Sequence, residues 1–224
     1  MISREIKVYR NLTGANDAWA RKTRKILKPF GMPLFNLIGS PGSGKTALLE
    51  ATAGFRGSGC RFAVLEGDVE TTKDAERMTA AGILSSQMIT GGECHLSARL
   101  VHRALKDLPL DRLDFVVVEN VGNLICPAEF DIGETAKVAV LSVTEGEEKP
   151  LKYPALFREA KCVVLTKIDL LPHVPFNMES CLAHIRQINP AVPVIQVSAL
   201  KGCGIEAWVE WLKQAPGNDK KSAH

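Results

Sequence analysis

Gly39-Ser40-Pro41-Gly42-Ser43-Gly44-Lys45-Thr46 fits the pattern G-x-x-x-x-G-K-[ST] without a gap. The chemistry of such a stretch is the holding of a di- or triphosphate. Its glycines let the backbone wrap the anion with N–H groups pointing inward, and a following helix adds partial positive charge at its N-terminus. Lys45 is placed to bridge the β- and γ-phosphates, and the Thr46 hydroxyl to hold Mg²⁺. Further along stands Thr166-Lys167-Ile168-Asp169, behind an apolar run. A carboxylate there accepts both hydrogen bonds of the guanine N1–H and 2-amino edge; adenine lacks that pair of donors and would leave Asp169 unpaired. The Lys167 stem can lie along the base. Ser198-Ala199-Leu200 resembles the loop from which GTPases offer a backbone N–H to guanine O6. Together these groups predict GTP and GDP as the nucleotides. Thr166 stands where many GTPases carry Asn.

Two carboxylates fall where Mg²⁺ and the attacking water belong. Asp68 and Glu119 each end an apolar run, and either is placed to contact hydrated Mg²⁺ or to orient water. As helix caps or loop carboxylates they would be equally ordinary. A second constellation is Cys94-His95 with Cys126-Pro127. If both segments leave the same edge of a parallel sheet, two thiolates and an imidazole meet near the triphosphate. That donor set suits Zn²⁺, Ni²⁺ or copper, with the fourth position left to Glu93, water or a second copy of the chain. On residue type alone, three such groups are as readily unrelated, since free cysteine often serves as a small buried hydrophobe. Cys60, Cys162, Cys181 and Cys203 are read that way, and His102 and His184 as helix-face residues.

The elements that must carry these groups are legible as short apolar runs. Leu34–Ile38, Phe62–Leu65, Gln87–Thr90, Phe115–Val118, Val138–Leu141, Cys162–Leu165 and Val194–Val197 read as strands buried on both faces. Helical spacing covers Ala47–Ala53, Thr71 to about Ala81, Leu96–Leu108, Asn177–Ile188 and Ile205–Gln214. The pattern is α/β: an open, mostly parallel sheet with helices on both faces and ligands at the C-terminal strand ends. Residues 1–28 form a helical arm of one or two helices, 29–215 the nucleotide domain and 216–224 a polar tail, with Lys28-Pro29-Phe30-Gly31 as the break. With 224 residues and 46% apolar content the chain can bury one substantial core. A net charge of +3 does not demand a nucleic-acid partner. No apolar stretch reaches the roughly 18 residues that span a bilayer, so no membrane partner is expected. Six scattered cysteines and the lack of an opening signal peptide set the expectation of a reducing, cytoplasmic location.

Taken together the motifs resemble the HypB family of hydrogenase-maturation, nickel-incorporation GTPases, in the SIMIBI class of P-loop proteins. The resemblance runs through Ala15-Asn16-Asp17, Gly39–Thr46, Glu66-Gly67-Asp68, Cys94-His95-Leu96, the run Glu119–Pro127, Val143–Gly146, Lys149–Pro154 and Lys167–Pro172. It implies a GTPase in which Lys45, Asp68 and Glu119 serve catalysis and Thr46, Asp68 and Glu119 serve Mg²⁺. It also implies that Cys94, His95 and Cys126 bind Ni²⁺ or Zn²⁺ at the interface of a GTP-dependent homodimer. The implied partners are a HypA-like nickel chaperone and the hydrogenase large-subunit precursor. Ser97 and Arg99 depart from the Asp and His expected after Cys-His-Leu. The charged loop Glu145–Lys152 is a candidate dimer contact, with Lys149 or Lys152 meeting an acidic group such as Asp74. A small-molecule kinase is the rival that Lys167 and Asp169 oppose, and a metal-storage protein the rival that the intact phosphate loop opposes.

Overall fold

Strand propensity and two-sided burial explain the centre of the molecule. The computed structural model describes residues 2–55, 57, 59–68, 73–89 and 95–214, and for 2–13, 68, 73–76 and 89 the backbone alone. Among these, seven strands form one sheet: β1 (Leu34–Ile38), β2 (Phe62–Asp68), β3 (Leu84–Ile89), β4 (Phe115–Glu119), β5 (Ala136–Ser142), β6 (Cys162–Thr166) and β7 (Val194–Gln196). Their order is β3-β2-β4-β1-β5-β6-β7, and every pairing is parallel. The expected mostly parallel sheet is therefore wholly parallel. Parallel neighbours need long crossovers, and helices supply them.

The helices are α1 (Ile2–Leu27), α2 (Lys45–Gly54), α3 (Lys73–Ala80), α4 (Ala98–Leu105), α5 (Cys126–Glu129), α6 (Lys149–Lys152), α7 (Pro154–Glu159), α8 (Met178–Ile188) and α9 (Ile205–Gln214). Alternate residues of each strand feed opposite faces of the sheet. Phe35, Leu37, Phe115, Val117 and Val164 pack against Leu48 and Leu49 of α2, Met78 of α3 and Trp208 of α9. On the other face, Leu34, Ala63, Leu65, Val116 and Val118 pack on Leu27 of α1 and Val101 and Leu105 of α4. Ile38, Ala139, Leu141, Val163 and Leu165 pack on Phe157 of α7 and Cys181 and Ile185 of α8. Burial pushes the Cys162 and Cys181 thiols up to about 12, as expected of cysteines used as hydrophobes. Cys203 departs from that reading, for it is exposed.

Local chemistry accounts for the boundaries that differ from the sequence reading. Ser97 is the N-cap of α4, its hydroxyl accepting the Leu100 N–H at 3.4 Å, so the helix starts at Ala98 rather than Leu96. β3 begins at Leu84, three residues before Gln87, because an edge strand tolerates Ser85 and Ser86. α5, α6 and α7 are four to six residues long, each with Pro in its first turn. They are too short for a 3.6-residue period to be read, although Pro at N1 or N2 is the mark that could have found them.

Candidate nucleotide and metal site

β1 ends at Ile38 and delivers the phosphate loop to the C-terminal edge of the sheet, where α2 starts at Lys45. Gly39 is required there by close approach: a Cβ would stand 2.5 Å from the Val140 carbonyl oxygen and 2.6 Å from Ser43 Oγ. Gly42 and Gly44 adopt positive φ, at 73° and 91°. Lys45 Nζ donates to the Gly39 and Ser40 carbonyls at 3.2 and 3.3 Å, so the ammonium curls over its own loop. Pro41, Gly42, Gly44, Lys45 and Thr46 line a cleft of about 560 Å³ with Glu119, Gly122 and Lys167 on the facing walls. That is ample for a small phosphorylated ligand.

At the end of β4, Glu119 is 9% exposed and accepts a hydrogen bond from Thr46 Oγ1 at 2.9 Å. Hydroxyl and carboxylate oxygens gathered at the mouth of a phosphate loop form a hard donor set that fits Mg²⁺. Asp68 closes β2, but its side chain lies outside the described residues. Two groups that the motif reading did not assign to the site also line the cleft, Glu66 and Arg77. Glu66 is buried and lies in register with Glu119 across the β2–β4 pairing. Arg77 of α3 donates to Glu50 of α2 through Nε at 2.9 Å and Nη2 at 2.6 Å. The signal for Glu66 was a carboxylate two residues before Asp68 at the end of the same apolar run. For Arg77 no local signal existed, since its partner lies on another helix.

β6 hands over to Lys167, the one non-glycine residue with positive φ (59°) among those described. A lysine held there is strained, as residues at binding loops often are. Its Nζ donates to the Gly42 carbonyl at 2.7 Å, and the Thr166 hydroxyl donates to the Ser43 carbonyl at 2.5 Å. Thr166, in place of the common Asn, thus fastens this loop directly to the phosphate loop. Asp169 accepts from Ser198 Oγ at 2.6 Å, and that bond holds its carboxyl below the usual carboxylate range. Ser198 Oγ in turn accepts the Lys201 N–H at 3.2 Å, which turns the hydroxyl proton toward Asp169. Each carboxylate oxygen has two lone pairs, so the edge of Asp169 can still accept two donors from a base. Ala199 lines a neighbouring hollow with Ala51 and Phe55.

From Glu119 the chain continues toward Cys126 over the phosphate loop. Gly122 packs so closely there that a Cβ would meet Pro41 Cγ at 2.7 Å and Pro41 N at 2.9 Å. Asn120 is buried and holds three segments together. Its Nδ2 donates to Asn36 Oδ1 of β1 at 3.0 Å, while its Oδ1 accepts the N–H groups of Val121 at 3.0 Å and Leu96 at 3.2 Å. Leu96 follows His95, whose ring stacks on Phe130 at 4.1 Å between centroids and 11° between planes. Phe130 caps α5, the helix that Cys126 begins. His95 and Cys126 are therefore brought to one neighbourhood, whereas Cys94 lies outside the described residues. Among the described residues alone, no three His, Cys, Asp or Glu side chains form a complete metal cluster.

The sheet edge and its motifs have counterparts in known proteins. A model of the CobW/HypB/UreG nucleotide-binding domain matches residues 33–196. The hydrogenase maturation factor HypB of Azotobacter chroococcum mcd 1 is 46% identical over 217 residues, 96% of this chain and 70% of that protein. The chain belongs to the HypB family. Two solved HypB structures share its fold: that from Archaeoglobus fulgidus, with a TM-score of 0.83 at 38% identity over 89% of this chain and 98% of that one. The other is HypB from Helicobacter pylori in complex with nickel, with a TM-score of 0.86 at 33% identity over 94% of this chain and 99% of that one. As a HypB-family protein the chain is a hydrogenase maturation factor built on a P-loop nucleotide-binding domain. No helix among its described residues is long and apolar enough to cross a membrane.

Lys149 and Lys152 of this HypB-family chain pair within their own segment, with Glu145 at 3.5 Å and Glu148 at 3.4 Å. The acidic partner suggested by the sequence, Asp74, has its side chain outside the described residues. His184 Nδ1 lies 2.9 Å from the Glu147 carbonyl oxygen, on the helix face expected of it. His102 is instead buried against Trp19, at 5.1 Å between ring centroids.

Proposed function

We propose that the chain is a GTP-hydrolysing metallochaperone switch. It binds Ni²⁺, or Zn²⁺, at a site made by Cys94, His95 and Cys126, and assists nickel insertion into the large subunit of a [NiFe]-hydrogenase. The observation that carries this reading is the unbroken run from Glu119 to Cys126. One end is bonded to Thr46 at the phosphate loop, its middle packs on Pro41 through Gly122, and its far end opens the helix on whose cap His95 stacks. The nickel complex of the Helicobacter pylori relative supports nickel as cargo.

In this reading Asp169 and the Ser198-Ala199 loop select guanine, and Lys45 with the loop N–H groups holds the β- and γ-phosphates. Mg²⁺, held by Thr46 with Asp68 or Glu119, would neutralise charge on the transferred phosphoryl group. Glu119 or Asp68 orients the attacking water in this reading. The γ-phosphate orders the segments after β2 and β4; its loss releases them and with them the metal ligands. Two copies meeting in the GTP state would complete the metal site and open on hydrolysis. Handover then involves a HypA-like nickel chaperone and the hydrogenase precursor, in the cytoplasm. Residues 29–215 are assigned as the switch and residues 1–28 as an arm on it.

The test is a Cys126→Ala variant assayed for metal by chelator competition and for GTP hydrolysis. Loss of Ni²⁺ and Zn²⁺ binding with hydrolysis retained supports the reading. Metal binding unchanged from the parent contradicts it.

A further inference from the structure

The Ala15-Asn16-Asp17 stretch of α1 has no place in nucleotide chemistry, yet its central residue joins the two segments assigned above to the metal. Asn16 Nδ2 donates to the Asp131 carbonyl at 2.6 Å, and Asn16 Oδ1 accepts the Ala98 N–H at 3.0 Å. Ala98 is the first residue of α4, three positions after His95; Asp131 follows Phe130, five positions after Cys126. A side-chain amide offers a donor and an acceptor on one short planar group, and both are used here on backbone atoms of different segments.

The rest of α1 fixes the same corner. Arg24 grips the Asp131 carboxylate with two bonds, 2.8 and 2.7 Å, and the Gly133 N–H adds a third at 2.7 Å. Burial pushes the Asp131 carboxyl up, but the Arg24 and Gly133 bonds outweigh it and leave it below the usual range. Gly133, at φ 88°, presses against the helix so closely that a Cβ would lie 2.6 Å from Thr23 Cβ and 2.7 Å from the Ala20 carbonyl. The Asp131 turn is thereby seated flush on α1, and Asn16 ties that turn to the start of α4.

We infer that Asn16 is a positioning residue for metal binding: it clamps the His95 segment to the Cys126 segment from outside, through Ala98 and Asp131. The inference rests on the reading of Cys94, His95 and Cys126 as metal ligands. Residues that hold ligands in place without touching the metal are worth about 10–100-fold in affinity. Site geometry has to be kept within about 0.5 Å, which two independent loops do not ensure by themselves. The clamp lies away from the phosphate loop, so its loss should leave nucleotide binding intact.

The test uses the full-length chain, with Ni²⁺ and Zn²⁺ each titrated against a chelator well below the thermal transition. Asn16→Ala should lower metal affinity about tenfold or more and weaken the Ni²⁺–thiolate charge-transfer absorption, with GDP affinity unchanged. Asn16→Asp keeps the acceptor for Ala98 but loses the donor to Asp131, and should fall between parent and Asn16→Ala. A residue that merely stabilises the fold would lower the melting temperature and leave metal affinity and the absorption band alone. Parental metal affinity in both Asn16 variants, with Cys126→Ala having lost it, overturns the clamp and leaves the metal-site reading standing. Parental affinity in Cys126→Ala as well removes the metal-site reading, and the clamp with it.

Discussion

Among single residues, the proposed choice of guanine turns on Asp169 and its neighbour Ser198. Guanine recognition needs the carboxylate ionised, and the Ser198 hydroxyl, oriented by the Lys201 N–H, favours the ionised form. The sign follows: with its pKa held down, Asp169 keeps its acceptor edge as pH falls through the ordinary carboxylate range, and loses it only below. Ser198→Ala removes the bond, so GDP affinity measured against pH should begin to fall at a higher pH than in the parent. A superimposable pH profile would contradict this. Asp169→Asn replaces an acceptor with a donor toward guanine N1–H and should exchange guanine for xanthine nucleotides. A loss of about 100-fold or more in GDP affinity is expected when both donors of the guanine edge lose their acceptor, read by fluorescent-nucleotide titration. Glu119→Gln keeps the hydrogen bond from Thr46 but removes the charge; single-turnover GTP hydrolysis should slow by about 100-fold or more if the carboxylate orients water. The phosphate loop was legible because its residues are contiguous and each has a fixed task. Glu66 was not, because its place in the cleft comes from register with Glu119 on a strand far away in sequence.

Among elements, the segment between β4 and α5 is the coupling part of the proposed switch, and Gly122 is its contact with the phosphate loop. Gly122→Ala forces a methyl group into Pro41 at under 3 Å. Such overpacking costs about 1–3 kcal/mol, visible in chemical denaturation. It should also make metal affinity indifferent to the nucleotide bound, which a purely structural glycine would not do. The α1–α4 contact carries a pH dependence of its own. Burial, with help from Lys106 and Lys22, holds the His102 imidazole below its usual pKa where it packs on Trp19. Protonation thus favours the undocked arm, and stability supplied by this contact is present above the ordinary histidine pKa and declines as pH falls below it. Protection factors of the α1 amides, taken relative to the intrinsic exchange rate at each pH, should fall between about pH 7 and pH 5.5, and His102→Phe should flatten that response. Apolar runs buried on both faces made the five inner strands readable, whereas the edge strands β3 and β7, expected to be buried likewise, are only partly buried because each has a neighbour on one side alone. The short helices α5 to α7 escaped because a single turn has no period, and the bonds of Asn16 escaped because both partners are backbone atoms set by tertiary packing.

For the whole molecule, the wholly parallel sheet carries the loops that follow its strands to one edge, which is what lets motifs scattered from Gly39 to Ser198 serve the one site proposed for them. Sequence pattern sufficed for that architecture, since a βα alternation with buried strands leaves few topologies. It could not show that Thr166 bolts the base loop to the phosphate loop, or that Asn120 joins β1, β4 and the His95 segment. Those bonds connect the Thr166 loop, the phosphate loop and the His95 segment, and the proposed switch would pass a change at the phosphate along this path to Cys126. The central claim is that nucleotide state sets metal affinity. Its most direct test is Ni²⁺ affinity and oligomeric state, measured together on the same sample loaded with GDP or with a non-hydrolysable GTP analogue. The account predicts a dimer that binds Ni²⁺ more tightly with the GTP analogue, and a monomer that binds it more weakly with GDP. Equal Ni²⁺ affinity and the same oligomeric state with both nucleotides would contradict it.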